Sequence, residues 1–318
     1  LTDRLDSDRP GRVAVVTGAS AGLGAAIARQ LAREGKVAAM ALVARRRDRL
    51  EALAGELSSA DRGGRALDVR VIASDLALPD AAAEVADRVL SDFEGADILI
   101  NNAGLGLPTL FADADPEQVR RQIAVNLEAP LLLTRHLLPS LIARRGMIIN
   151  IGSSITCVAN SALGAYGATK AGLAYWNDAL RRELASLGVT VCLVEPGPIR
   201  TEFSAAFGRL ARPGETPHPV VSTPGEWMMA DEADVARRVV GLVDHPRRRL
   251  SVLRRMVWPF RLMGAAFRAL PALGDLVVSR GFHVDHSIRP LDYNGTDSTP
   301  AATCAAAPPF LGGSDHHA

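Results

Sequence analysis

The residues best suited to chemistry are Tyr166 and Lys170, four positions apart in Tyr166-Gly167-Ala168-Thr169-Lys170. Of the 36 lysines and arginines only Lys36 and Lys170 are lysines, and the only tyrosines are Tyr166, Tyr175 and Tyr293. Arginine fills nearly every other cationic position. A lysine here points to work a guanidinium cannot do, because its ammonium is compact and carries three rotating donors. On a helix, positions i and i+4 share a face. A cation beside a phenol favours the phenolate and lowers its pKa from a reference near ~10. A phenol tuned toward neutrality can give or take a proton. Taken alone, the pair would more readily be a packed tyrosine beside a surface lysine.

A second cluster shifts that balance. Val13-Ala14-Val15-Val16 reads as a short apolar strand running into Thr17-Gly18-Ala19-Ser20-Ala21-Gly22-Leu23-Gly24, then into a helical pattern with Ile27 and Leu31 inward. Strand, glycine-rich turn and helix in succession suit a dinucleotide pyrophosphate. Glycine lets the backbone approach closely, and a helix N-terminus favours negative charge. The spacing is G-x-x-x-G-x-G, not G-x-G-x-x-G, and by itself such a cluster is more often just a tight turn.

The elements that must position these groups alternate. Strands are expected at 13–17, 37–44, 67–74, 97–101, 146–152 and 189–195, with helices at 22–34, 46–59, 80–92, 116–144 and 164–187. Such alternation predicts an α/β fold, a parallel sheet flanked by helices on both faces. Right-handed crossovers make it doubly wound, and ligands then bind at strand carboxyl ends near the switch point. Gly18, Asn102, Ser153 and Pro196 all fall at such ends.

Further landmarks come in order. Asn101-Asn102-Ala103-Gly104 follows Ile98-Leu99-Ile100, Asn126 sits in Val125-Asn126-Leu127, Ser153 ends Met147-Ile148-Ile149-Asn150-Ile151-Gly152, and Pro196-Gly197 closes the run at 189–195. Ser153 and Tyr166 are 13 residues apart. With these residues the sequence resembles the short-chain dehydrogenase/reductase (SDR) family, in its single-domain branch, over about residues 10–250. The resemblance implies a Rossmann-like fold and a nicotinamide-dependent oxidoreductase interconverting a ketone and a secondary alcohol. It implies that Ser153 holds the carbonyl oxygen, Tyr166 protonates it, Lys170 lowers the tyrosine pKa and bonds the nicotinamide ribose, and Asn126 anchors a water leading to solvent. Ser154 is the neighbour that could be mistaken for Ser153; spacing favours Ser153. Gly18, Ser20, Ala21, Gly22, Leu23 and Gly24 would cradle the pyrophosphate, and Asn102, Ala103 and Gly104 would line the ribose and nicotinamide side. Pro196 and Gly197 would lead to Ile199 and Thr201 at the carboxamide. Asp75 would accept from the adenine amino group with Leu76 beside it, although an aspartate there could also be a turn cap.

The adenosine ribose is read about ~20 residues beyond the last glycine, where an acidic residue favours NAD. Here that count reaches Ala44, followed by Arg45-Arg46-Arg47. A guanidinium can grip a 2′-phosphate with paired hydrogen bonds, so NADP(H) is expected, with Arg45 the leading ligand and Arg46 the second. The competing view, strongest for Arg46 and Arg47, is a solvated helix start in an arginine-rich chain. Ala21 departs from many NADP-using relatives, which carry a basic residue inside the turn.

The 318 residues are 48% hydrophobic with a formal net charge of +1, so no nucleic-acid or acidic partner is indicated. Cys157, Cys192 and Cys304 have no paired spacing, which argues against disulfides or a zinc site, and no metal is expected. Residues 1–12 are charged and lack the apolar core of a signal peptide. A cytoplasmic homodimer or homotetramer acting on a small carbonyl or alcohol is expected. The expected organisation is a flexible N-terminus at 1–10, a catalytic domain at 11–253, an amphipathic extension at 254–282 and a disordered tail at 283–318. Within the catalytic domain, residues 205–224 carry four prolines and two glycines and read as a mobile substrate lid. Few aromatics occur nearby (Phe203, Phe207, Trp227), which suits an apolar or acyl substrate, and Cys157 and Leu163 could touch it or simply pack. In the extension, Arg254, Arg261, Arg268 and Asp275 recur every seven residues among apolar ones, broken by Pro259 and Pro271. It could cover the pocket, extend an oligomer interface or rest on a membrane; packing on its own domain is favoured. Two alternatives stand beside the reductase: a non-catalytic dinucleotide-sensing or scaffold protein on the same fold, and a membrane-associated lipid-metabolising reductase.

Overall fold

Apolar runs in the chain become parallel strands. The computed structural model describes residues 11–59, 66–203, 229–252 and 254–270, with backbone alone at 254–260 and 268. The strands are β1 (Val13–Thr17), β2 (Ala39–Ala44), β3 (Asp68–Ala73), β4 (Ile98–Asn101), β5 (Met147–Ile151), β6 (Thr190–Glu195) and β7 (Arg249–Ser251). They form one sheet in the order β3-β2-β1-β4-β5-β6-β7, every pairing parallel. The helices are α1 (Gly22–Arg33), α2 (Arg47–Ser59), α3 (Ala81–Phe93), α4 (Pro116–Ile123), α5 (Ala129–Ala143), α6 (Gly164–Leu184), α7 (Glu232–Val240) and α8 (Arg254–Ala269). The result is the Rossmann-like doubly wound sheet that the alternation predicts.

Pleating divides each central strand between two cores. Ala14 and Val16 face Ile27 and Leu31 of α1 and Val235 and Val239 of α7. Val15 faces Val85 and Val89 of α3, Leu133 and Leu137 of α5, and Leu180 of α6. A strand covered on both faces needs a continuous apolar run, as β1 has. Each large side chain removed from water stabilises the fold by about 1.5–3 kcal/mol. Strand order reverses between β1 and β4, and the crevice at their carboxyl ends is where this topology places a ligand.

Three expectations change. The helix expected over 116–144 is interrupted by a π-helical turn, Ala124–Glu128, between α4 and α5. The amphipathic segment is not broken at Pro259: α8 continues through it. Pro259 is the sixth residue of α8, so its missing N–H removes one early ladder bond while its fixed φ stays helical. Docking of the later turns against the domain offsets that loss. Finally, β7 and α7 were not foreseen; β7 is three residues long, and its register with β6 is a long-range pairing. The expected N-terminus at 1–10, lid at 205–224, and segments 271–282 and 283–318 lie outside the described residues.

Candidate active site

The ends of β1 and β4 are stapled by Thr17. Its hydroxyl accepts from the backbone N–H of Asn102 at 2.9 Å and of Ala103 at 3.0 Å, and donates to the Ile100 carbonyl at 3.2 Å. Asn102 returns the contact, its Nδ2 donating to the Thr17 carbonyl at 2.9 Å. Two glycines make room for this. Gly18 has φ +68, and a Cβ there would lie 2.8 Å from Asn102 Nδ2 and 2.9 Å from Ala103 Cα. A Cβ on Gly24 would lie 2.2 Å from the Gly18 carbonyl oxygen. At the N-terminus of α1, Ala21 offers no side-chain cap and the first turn holds no acid. The helix therefore presents unpaired N–H groups and its positive dipole end to the crevice. A tight cradle of backbone donors is the arrangement a pyrophosphate requires, so the residues present fit a dinucleotide.

On the other side of the crevice α6 brings Tyr166 and Lys170 to one face, both buried. Ser153, two residues beyond β5, caps a 3-10 turn, Ser154–Cys157, its hydroxyl accepting from the Ile155 N–H at 3.2 Å. The Ser153 hydroxyl favours the charged form of the Tyr166 phenol, which distinguishes it from Ser154. Lys170 Nζ donates to the Ile151 carbonyl at 2.8 Å. Asn126 lies in the π-helical turn, fully buried; its Oδ1 accepts from the Leu105 N–H and its Nδ2 donates to the Leu105 carbonyl, both at 2.8 Å. A Cβ on Gly104 would lie 3.3 Å from Asn126 Oδ1 and 3.6 Å from Lys170 Nζ, so these three meet.

Electrostatics differ from the expectation that Lys170 pulls the phenol down. Burial pushes Tyr166 up to about 12, opposed by the Ser153 hydroxyl. Burial likewise pushes Lys170 down to about 8. Both charged forms lose hydration on burial, and the Lys170 ammonium spends its contact on a backbone carbonyl.

The remaining predicted residues surround this pair of walls. Arg45 is exposed directly after β2, and Arg46 donates through Nε and Nη2 to Ser20 Oγ at 3.3 and 3.2 Å. Gly22 adopts φ +53 with Thr201 packed over it, and Leu23 and Leu76 are buried. Asp75 makes the turn cap: Oδ1 accepts from the Ala77 N–H at 3.2 Å, and Oδ2 pairs with Arg121 at 2.5 Å. Pro196 accepts from the Ser154 N–H at 3.0 Å, which ties Pro196-Gly197 to the serine turn, and Ile199 bridges to Ala230. Phe203 stands 6.1 Å from the Tyr166 ring, centroid to centroid. Leu163 is buried, and Cys157 packs with Val158 against Met263 and Phe267 of α8. Phe207 and Trp227 lie outside the described residues. Sequence reasoning missed Thr17, Thr169, which Asn126 bonds at 3.1 Å, and a buried glutamate, Glu195, held by Arg249, Ser251 and Arg261. Thr17 was readable as the last residue before Gly18. Glu195 was not, since all three partners follow it by more than 50 residues. Among the described residues no cluster could hold a metal ion, and no helix is long and apolar enough to cross a membrane.

A family model described as short chain dehydrogenase matches residues 12–209. The chain belongs to the short-chain dehydrogenase family. A short chain dehydrogenase of Pseudocercospora fijiensis is 33% identical over 207 residues, 64% of this chain and 64% of that protein, so the match spans under two thirds of it. The serine 3-dehydrogenase of Rhizobium radiobacter is 37% identical over 192 residues, covering 60% of this chain and 73% of that protein. Among solved structures, a short-chain dehydrogenase from Sphingobium yanoikuyae in complex with NADPH superposes with a TM-score of 0.67 at 28% identity, covering 82% of this chain and 95% of that one. This short-chain dehydrogenase is thus an oxidoreductase by family.

Proposed function

We propose that this short-chain dehydrogenase uses NADP(H) to interconvert a ketone and a secondary alcohol, with Tyr166 as acid and base, on an apolar or acyl substrate. The observation that carries the reading is the convergence at the sheet's carboxyl rim of Ser153, whose hydroxyl acts on the Tyr166 phenol, with buried Tyr166 and Lys170 on one face of α6 and Asn126 beside Lys170. The cradle of Gly18, Ser20, Ala21, Gly22, Leu23 and Gly24 takes the pyrophosphate. Arg45 and Arg46 take the ribose 2′-phosphate, as the NADPH-bound relative encourages. Asp75 and Leu76 border the adenine, with Asp75 sharing its lone pairs between Arg121 and the base. Asn102, Ala103, Gly104, Pro196, Gly197, Ile199 and Thr201 line the ribose and nicotinamide.

When bound, the nicotinamide supplies or accepts the hydride at the substrate carbon. The chain does the rest. Ser153 donates to the carbonyl oxygen and steadies the charge that grows there. Tyr166, neutral with a pKa near 12, holds its proton at physiological pH and donates it to that oxygen. Lys170 stands beside Gly104, where it can bond a ribose and add positive charge beneath the phenol. Asn126 holds the backbone at Leu105 and shapes the path from Lys170 to solvent. Phe203 offers an apolar edge to the substrate.

The test is consumption of NADPH by the purified chain against a panel of ketones, acyl thioesters and steroids. At least one carbonyl should be reduced. Tyr166→Phe should abolish that turnover while calorimetry finds NADPH affinity nearly intact, because only the proton donor is gone. Retention of most of kcat would overturn the assignment.

A further inference from the structure

A carboxylate already sits on Arg46, one of the two arginines expected to hold the 2′-phosphate. Glu202 Oε2 accepts from Arg46 Nη1 at 3.2 Å, and both Glu202 oxygens accept from Arg49 Nη1, at 2.8 and 2.9 Å. Arg46 turns its other two nitrogens, Nε and Nη2, to Ser20 within the glycine turn. Glu202 comes from the opposite side of the crevice. Its segment is pinned by Arg200 N–H to the Ala230 carbonyl at 3.0 Å and Ala230 N–H to the Pro198 carbonyl at 2.9 Å. Thr201 lies over Gly22, 3.3 Å from where a Cβ would stand. The segment therefore crosses the mouth of the glycine turn and delivers one anion to the basic group on the far wall. Arg49 and Arg46 hold the Glu202 carboxyl below the usual carboxylate range, so it is ionised at neutral pH.

We propose that Glu202 is a specificity-determining residue for the cofactor: its carboxylate occupies the ribose 2′-phosphate position on Arg46, so that NADP(H) binds by displacing it and NAD(H) leaves the bridge in place. The inference rests on the reading that Arg45 and Arg46 receive the 2′-phosphate. A phosphate of about −1.5 to −2 charge cannot share one guanidinium edge with a carboxylate without repulsion. It wins the exchange because it brings more charge and more acceptor oxygens. The exchange is not costly, since water and salt screen an exposed ion pair and it contributes little. Arg49 lets Glu202 retain one partner once Arg46 turns to the phosphate. The bridge therefore lowers affinity for the phosphorylated cofactor modestly and selectively.

The experiment is calorimetric titration of wild type and Glu202→Gln with 2′,5′-ADP, 5′-AMP, NADPH and NADH. Glu202→Gln should bind 2′,5′-ADP and NADPH roughly two- to five-fold more tightly, the range expected for an exposed pair, with 5′-AMP and NADH unchanged. In an Arg46→Ala background the gain should vanish. A gain of undiminished size there would mean general charge repulsion and would overturn the displacement. Unchanged or weaker 2′,5′-ADP binding in Glu202→Gln would also overturn it, and so would equal losses of all four ligands, which would make Glu202 a support of its segment. Those results leave the cofactor reading intact provided Arg46→Ala still loses 2′,5′-ADP selectively. If Arg45→Ala and Arg46→Ala each weaken 2′,5′-ADP and 5′-AMP alike, it is the cofactor reading that fails.

Discussion

Tyr166 and Lys170 share one buried face, and burial acts on them in opposite directions. Lys170 titrates near 8 in the folded chain, against 10.5 when exposed, because its ammonium is desolvated. Below pH 8 the lysine is protonated both folded and unfolded, and the full desolvation cost is present. Between 8 and 10.5 only the unfolded chain keeps the proton, so this group's contribution to stability rises with pH. Lys170→Met removes the buried charge and should be the more stable protein at pH 7, by an amount on the order of a few kcal/mol. The Ile151 carbonyl left without its donor offsets only about 1–3 kcal/mol of that. The advantage should close as pH rises from 8 to 10.5, read from urea melts across that range, while turnover and NADPH affinity fall. A Lys170→Met protein less stable than wild type at every pH would show the ammonium to be stabilising. Tyr166 works in the opposite sense, its raised pKa favouring the fold below pH 10 and losing that stability from 10 to about 12.

Helices set the geometry around these residues through small side chains and local exceptions. The π-helical turn turns Asn126 inward, where its amide fills the space between the Leu105 backbone and Thr169. At the other edge, α8 crosses the serine turn at Gly264. A Cβ there would lie 1.8 Å from the Cys157 carbonyl oxygen, too close for any side chain. Arg261 reaches the buried Glu195, and Met263 and Phe267 cover Cys157 and Val158. This face of the extension is thus engaged by its own domain, and the expected cationic stripe is interrupted by an ion pair at Arg261. Gly264→Ala must push α8 away from the turn that starts at Ser153. It should destabilise the chain by roughly 1–3 kcal/mol, the usual range for overpacking, and reduce turnover more than NADPH affinity. An unchanged melting temperature and kcat would mean that α8 docks too loosely to shape the site.

Across the molecule, the two walls of the crevice come from distant stretches of chain that only the sheet brings together. β1 and β2 carry the glycine turn and Arg45 to one rim; β4, β5 and β6 carry Asn102, Ser153 and Pro196 to the same rim. Cofactor choice belongs to this scale, since it depends on what the β2 end presents to the adenosine. Arg45→Ala should weaken NADPH by roughly 1.5 kcal/mol, the lower end for a charged hydrogen bond at a site open to salt and water, and leave NADH almost unchanged. Equal losses for both in a calorimetric titration would rule out the 2′-phosphate role.

What local chemistry and residue period dictate was legible in the residues alone. Continuous apolar runs specify strands buried on both faces, as in β1 and β2, and the 3.6-residue period between them specifies helices. Tyr166 and Lys170 were readable because i and i+4 on a helix must meet, and Gly18 and Gly24 because only glycine tolerates such close backbone approach. Tertiary structure alone decided what depends on long-range pairing and on burial. The strand β7 is too short and too polar to announce itself, and exists through its register with β6. Glu195 meets Arg261 across 66 residues, and Glu202 meets Arg46 across 156. Spacing said that a lysine stands near a tyrosine; only the packed interior decided that desolvation, not their proximity, sets both pKa values.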